Sequence, residues 1–280
     1  MNASNSTLAF IGGGQMAQAL IGGLLARGRA PATVAVADPD PAQRAALARA
    51  FPGIQIHGDS ALAAAAAGLW ILAVKPQQMA QVAATLAPQV ATAQPLVVSV
   101  AAGIRLAELA RWLGDQARLV RAMPNRPALV GAGITALYAE PSRSRGERDA
   151  AEAIFAAVGR TLWLTAEPQM DAVTAVSGSG PAYFFLLTEL IEAAAIERGI
   201  PKEVARVLSV ETAWGAAQMA HGSGLPAATL RAQVTSPGGT TAAALAVFDA
   251  ADLRAIVSRA VAAATERAAE LAREHGSAQS

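Results

Sequence analysis

Ser236-Pro237-Gly238-Gly239-Thr240-Thr241 sets two adjacent glycines behind a proline and directly before an apolar helical run, 242–248. A helix that begins at these threonines has first-turn N–H groups without intrahelical partners, and its dipole favours negative charge there. Such a start can hold a carboxylate or a phosphate; the same residues could also form an ordinary serine-capped helix. Near the other end of the chain, Gly12-x-Gly14-x-x-Ala17 follows the apolar run Leu8-Ala9-Phe10-Ile11 and opens a helix that extends to about residue 27. Gly12 suits a tight turn, Gly14 admits a pyrophosphate close to the backbone, and Ala17 is small enough for close helix–strand packing. A second strand, 33–37, ends in Asp38, at the spacing where an acidic residue accepts from a ribose 2′-OH. These residues predict a dinucleotide site. Arg44 lies further along the next helix, too far to be assigned as a clamp for a 2′-phosphate.

The elements that must position these residues alternate. Apolar runs at 69–74, 96–100 and 118–122 read as buried parallel strands, with helical stretches at 60–67, 77–90 and 106–113. Strands at 134–138 and 161–164 flank a helix over 144–158. The pattern predicts an α/β, doubly wound (Rossmann) domain over 1–166. After Thr165 no strand candidate remains, so Glu167-Pro168 marks a short hinge, and 167–280 is expected to be all-helical. Ligands of a doubly wound sheet bind outside the carboxyl ends of its strands. Those ends carry Ala73-Val74-Lys75-Pro76, Ser99-Val100-Ala101-Ala102-Gly103 and Arg121-Ala122-Met123-Pro124-Asn125-Arg126-Pro127. Three such loops on the edge of the glycine loop suit an elongated ligand, with Lys75 close to it and room for a flat ring over Ala101, Ala102 and Gly103. The helical part opens with Ser177-Gly178-Ser179-Gly180-Pro181. That is a tight turn ending at Ser179 or Gly180, with Pro181 at the first position of a long helix; it can be read as a capped helix start or, functionally, as a turn that also faces the nicotinamide of a bound dinucleotide.

Several classes are excluded by what is scarce. The net charge is +1 without a basic cluster, which gives no attraction to nucleic acid or an anionic membrane surface. With no cysteine there is no disulfide, thiolate nucleophile or cysteine-bound zinc, as suits a reducing cytoplasm. The polar, uncharged start, 1–7, lacks the features of a signal peptide, and the most apolar helix, 181–196, carries Glu189 and Glu192, which argues against a membrane span. His57 follows a strand, His221 ends a helix and His275 lies in the tail; none forms a catalytic dyad or has metal-ligand spacing. The remaining proton donors are hydroxyls and backbone amides, which fits a substrate activated by its own charge, such as a protonated imine.

Taken together, Phe10-Ile11-Gly12-Gly13-Gly14-Gln15-Met16-Ala17, Ala73-Val74-Lys75-Pro76, Ala101-Ala102-Gly103, Arg121-Ala122-Met123-Pro124-Asn125, Ser177-Gly178-Ser179-Gly180-Pro181-Ala182-Tyr183 and Ser236-Pro237-Gly238-Gly239-Thr240-Thr241 resemble the pyrroline-5-carboxylate reductase family over nearly the whole chain. The resemblance implies reduction of L-1-pyrroline-5-carboxylate to L-proline, the last step of proline biosynthesis, with NADPH or NADH. It also implies an all-α C-terminal dimerisation domain, with the site between the two domains. By the same resemblance the substrate is bound by Ser236, Gly238, Gly239, Thr240 and Thr241. Amides of 239–241 hold its carboxylate, and the catalytic Thr241 sits beside the ring nitrogen. The cofactor residues are Gly12, Gly13, Gly14, Gln15, Met16, Ala17, Asp38, Ser60, Ala73, Val74, Lys75, Pro76, Ala101, Ala102 and Gly103. Three residues depart from the family pattern: Arg126 stands where a small Thr is common, and Gly224 and Gln233 where Glu and Asn occur. The apolar helices 181–196, 202–219 and 250–272 exceed what one small domain can cover, so a homo-oligomer, a dimer or a multiple of dimers, is expected. Two alternatives stand beside this reading. A reductase of another cyclic imine or a hydroxy acid is one, although a hydroxy-acid enzyme would use a helix lysine and Lys202, the only lysine after Lys75, follows Pro201 at a helix start. A non-catalytic dinucleotide-binding regulator is the other, and it would not need the Pro-Gly-Gly-Thr-Thr turn.

Overall fold

The computed structural model describes residues 7–277; of the start read for signal features, 1–7, all but Thr7 lies outside them. The chain runs β1 (Leu8–Ile11), α1 (Gln15–Ala26), β2 (Val34–Ala37), α2 (Pro41–Ala50), β3 (Gln55–His57), α3 (Ser60–Ala64), β4 (Leu69–Leu72), α4 (Pro76–Ala93), β5 (Leu96–Ser99), α5 (Leu106–Leu113), β6 (Arg118–Met123), β7 (Gly133–Tyr138), α6 (Arg145–Phe155) and β8 (Gly159–Trp163). These strands form one sheet in the order β3-β2-β1-β4-β5-β6-β7-β8. After α7 (Gln169–Val173) and a π-helical turn (Thr174–Gly178) come α8 (Gly180–Glu197), α9 (Lys202–Ser223), α10 (Ala227–Gln233), α11 (Thr240–Ala250) and α12 (Leu253–Ser277).

The strands are short apolar runs because both faces of the sheet are covered. Alternation sends Ala9, Ile11, Trp70, Leu72 and Val97 to one core, where Met79, Ala83 and Leu86 of α4 and Leu109 of α5 meet them. Leu8, Phe10, Ile71, Val98 and Val120 go to the other, against Leu20 and Ile21 of α1 and Phe155 of α6. β7 runs antiparallel to β6, the one reversal in the sheet. The segment between them holds only a 3-10 turn, Arg126–Val130, and a parallel return would need a crossover of a dozen residues or more.

The chain packs as two compact units: residues up to Gly178 together with those from Ala264, and Ser179–Ala263. By packing, the division falls at 178/179, after the boundary expected at 166/167. Met170 and Ala175 are fully buried, and Met170 belongs to the sheet's core, so α7 stays with the sheet. Glu167 is no free hinge; its carboxylate is held by the Arg121 guanidinium and the Leu106 N–H. The last turns of α12 also belong to the sheet unit, where Ala268 and Ala272 are buried. The helical unit contains no strand. In the single chain it leaves Phe184 72%, Phe185 67% and Trp214 62% exposed. Among the described residues no helix is long and apolar enough to cross a membrane.

Glu152 ties α6 to the edge strand β8. Its carboxylate accepts from Thr161 Oγ1 at 2.6 Å and Trp163 Nε1 at 2.9 Å, and these bonds lower its pKa from the ordinary carboxylate value. A carboxyl whose folded pKa is depressed stabilises the fold above its unfolded pKa and loses that contribution as pH falls through the folded value. Urea unfolding measured from neutral to acidic pH should show stability falling through this range. Glu152→Gln should flatten that part of the profile; an unchanged slope would remove Glu152 as its source.

Candidate functional site

The register Ile11↔Leu72, Leu72↔Ser99, Ser99↔Arg121 lines up the carboxyl ends of β1, β4, β5 and β6. The loops that follow share one edge, as the sequence predicts. Strand order reverses between β1 and β4, the switch point at which doubly wound sheets bind ligands. The glycine loop is pressed against the loop after β4. Gly12 has φ +99, and a Cβ there would lie 2.7 Å from the Ala73 carbonyl oxygen. Gly14, by contrast, looks into open space, and as N-cap of α1 it supplies no capping side chain. The first-turn amides of α1, from Gln15 and Met16, therefore lie behind bare backbone. That arrangement fits a pyrophosphate. Beyond it opens a cavity of about 340 Å³, lined by Gly12, Pro39, Ser60, Val74, Gln78 and Thr85, among others. Gly12, Ser60 and Val74 are sequence-predicted residues. The α4 wall, Gln78, Gln81, Val82 and Thr85, is not, although its spacing of three, four and seven marks one helix face.

Other predicted residues have structural surroundings of their own. Gly13 donates its N–H to Asp38 Oδ2 at 3.0 Å, and Asp38 Oδ1 accepts from Asp40 N at 2.9 Å. This carboxylate is thus a strut between the end of β2 and the glycine loop, and the Gly13 amide is already used. Ala17 is wholly buried in the core, where it fixes α1 on the sheet. Arg44 is not remote: its Nη1 donates to the carbonyls of Asp38 and Pro39 at 2.9 and 2.8 Å, because the long side chain folds back along α2. Lys75 is exposed as N-cap of α4, with Pro76 opening that helix and Ala73 packed on the core beneath Gly12. In the loop after β5, Ala101 is buried and Ala102 half-buried. Gly103 lies against α12; a Cβ there would lie 3.1 Å from His275 Cδ2 and 3.4 Å from the Leu271 backbone. His275 accordingly sits in α12 and not in a tail.

The turn expected at 175–180 is a π-helical turn that runs into α8, a form enriched at functional sites. Asn125, buried at the end of β6, holds it: Nδ2 donates to the Ser177 carbonyl at 3.1 Å while Oδ1 accepts from Ile134 N at 3.0 Å. The motif around Asn125 is visible in the sequence, but its partners are too distant along the chain to read.

In the helical unit, α11 starts behind Gly239, with no capping side chain and no acidic residue in its first turn. The serine-capped alternative does not form. Ser236 contributes its carbonyl, which accepts from Gly239 N at 3.0 Å. The amide of Gly239 is therefore occupied, and Thr240, Thr241 and Ala242 carry the first-turn donors without intrahelical acceptors. Gly238 takes φ +69, a left-handed backbone that glycine adopts at no steric cost. Of the departures from the family pattern, Gly224 is the C-cap of α9, Gln233 ends α10, and Arg126 stands exposed at the start of the 3-10 turn after β6.

Gly12→Ala should weaken dinucleotide binding by about tenfold or more, measured by calorimetric titration with NADPH, because the new methyl must displace the Ala73 carbonyl. Binding as tight as that of the unaltered protein would mean that this close approach does not shape the site.

Comparison with known proteins agrees with this geometry. Residues 167–271 match the family described as pyrroline-5-carboxylate reductase dimerisation, and residues 7–103 the family described as NADP oxidoreductase coenzyme F420-dependent. The chain is 47% identical to the pyrroline-5-carboxylate reductase of Pseudomonas aeruginosa, with 98% of this chain and 99% of that protein covered. It is 43% identical to the enzyme of Haemophilus influenzae, over 94% of this chain and 97% of that one. Among solved structures, a pyrroline-5-carboxylate reductase from Coxiella burnetii superposes with a TM-score of 0.90 at 38% identity, covering 95% of this chain and 98% of the other. The Plasmodium falciparum enzyme, solved with NADP bound, gives 0.84 at 26% identity, covering 96% and 99%. With a Rossmann unit, a dimerisation domain and relatives matched along almost its whole length, the chain belongs to the pyrroline-5-carboxylate reductase family.

Proposed function

We propose a residue-level account of how this enzyme reduces L-1-pyrroline-5-carboxylate to L-proline. The observation that carries it is the uncapped, glycine-fronted start of α11. The substrate carboxylate takes the place of the absent cap, accepting from the first-turn amides of Thr240 and Thr241, where the helix dipole favours its charge. Gly238 and Gly239 keep that approach free of side chains, and Ser236 sets the turn through its carbonyl. The Thr241 hydroxyl orients the proton on the ring nitrogen. No stronger acid is required, because the protonated imine is already electrophilic, and positioning supplies most of the rate.

NADPH or NADH, held at Gly12, Gly14, Gln15 and Met16, along Ser60 and Val74-Lys75-Pro76, and with its ring at Ala101 and Ala102, supplies the hydride. Asp38 stands where it can also accept from a ribose 2′-OH, which favours use of NADH as well as NADPH. The apolar residues exposed on α8 and α9 support assembly as a dimer or a multiple of dimers, with a second copy covering them. A cytoplasmic location fits a chain without cysteine.

Purified protein should oxidise NADPH only when pyrroline-5-carboxylate is added. Thr241→Ala should lower kcat by about 10²-fold, the low end for a positioned acid–base group, while dinucleotide affinity stays unchanged. Gly239→Val should instead raise the substrate KM, since its Cβ would lie 3.2 Å from the Ser236 carbonyl. Turnover unaffected by Thr241→Ala would refute the role given to that hydroxyl. Asp38→Ser should shift the NADPH/NADH ratio of kcat/KM toward NADPH; a constant ratio would show that Asp38 does not discriminate.

A further inference from the structure

The loop 100–106, between β5 and α5, is held at both ends and in the middle. At its start Ala101 N donates to Ser99 Oγ at 3.3 Å, and Ser99 is wholly buried. In the middle Gly103 lies against α12. At its end Leu106 N donates to Glu167 Oε1 at 2.9 Å, and the same oxygen accepts from Arg121 Nη1 at 3.1 Å. Arg121 is paired with Ser99 in the β5–β6 register, so the carboxylate closes a ring around the base of the loop. The side chains of Arg121 and Glu167 are 4% and 16% exposed. One residue before Leu106, Arg105 forms a second ion pair with Asp171 at 3.5 Å.

A buried ion pair is poor evidence for stability, because an apolar pair of similar volume often serves as well. An apolar pair could not accept the Leu106 amide, however, and that amide fixes where the loop ends. We infer that Glu167 and Arg121 are positioning residues for hydride transfer. Glu167 seats the loop through Leu106, Arg121 orients Glu167, and the seated loop sets the height and tilt of the nicotinamide ring over Ala101 and Ala102. This rests on the proposed placement of the ring at that loop. Neither side chain is required to touch the cofactor or the substrate.

The test uses the full-length protein with Glu167→Ala, which removes the acceptor, and Glu167→Gln, which keeps an amide oxygen for Leu106 N–H and Arg121. Three quantities are measured: emission of bound NADPH, which reports the nicotinamide environment; affinity for ADP, which lacks that ring; and kcat with pyrroline-5-carboxylate. For Glu167→Ala, kcat should fall by about 10- to 100-fold and the NADPH emission should change. ADP affinity should stay within about threefold, and Glu167→Gln should restore most of kcat and the emission. If Glu167→Ala does not fold, the double variant Arg121→Met/Glu167→Leu replaces the pair by apolar bulk and should show the same loss. A folded variant with unaltered emission and kcat would overturn the inference. So would parallel loss of ADP binding and kcat, or a Gln variant no better than Ala. An unaltered protein inactive on pyrroline-5-carboxylate would refute the substrate reading instead, while the emission and ADP measurements would still decide the role of Glu167.

Discussion

Everything at the dinucleotide edge depends on one close approach, that of Gly12 to the carbonyl of Ala73. The two residues belong to the loops after β1 and β4, the pair of strands between which the sheet reverses its order. With a side chain at position 12 those loops could not close on each other, since a Cβ would stand 2.7 Å from the carbonyl oxygen. Their closure sets the angle at which α1 leaves the sheet, and the buried Ala17 then locks the helix onto β1. The Asp38 strut fastens the same loop to β2 from the other side. Three strands thus converge on a few atoms of backbone, and the cavity beyond is what remains once they have met.

The Rossmann unit was largely legible because its signals are local. An apolar strand, a glycine turn and a helix follow one another within residues 8–26, and the reading required no distant partner. The start of α11 was legible for the same reason. What could not be read depends on contacts between distant segments. The direction of β7 follows from the short connection after β6, and the packing of α7 with the sheet from the burial of Met170. That α12 lies against Gly103 could not be read, because its residues are near the far end of the chain. Arg44 appeared remote because position along a helix says little about where six side-chain bonds can return the guanidinium. The bond from the Gly13 amide to Asp38 could not be read either, because its partner lies 25 residues along the chain.

The helical unit obeys a different economy. Its helices are apolar on more than one side; α8 and α9 pack on each other and still leave large side chains open to water. A helix apolar all round is stable in water only when buried, so the family's dimerisation domain is as much a requirement of this composition as a feature of the enzyme. Alanine and glycine, abundant throughout the chain, let helices approach closely and also blur periodicity, which is why the individual faces of these helices cannot be read from their sequences.

Helix starts are treated unequally in this chain. Asp40, Asp59 and Ser144 each turn a side-chain oxygen onto the first amides of α2, α3 and α6. α1 and α11 begin behind glycines that have no such oxygen to offer. Glycine in place of a capping side chain costs a helix only about a few tenths of a kcal/mol, but it leaves the first-turn amides of α1 and α11 without a side-chain acceptor. In the proposed binding mode a phosphate or carboxylate completes these starts in the way an aspartate would. Ligands would then be structural components as well as reactants, and the fold should be better consolidated during turnover than at rest.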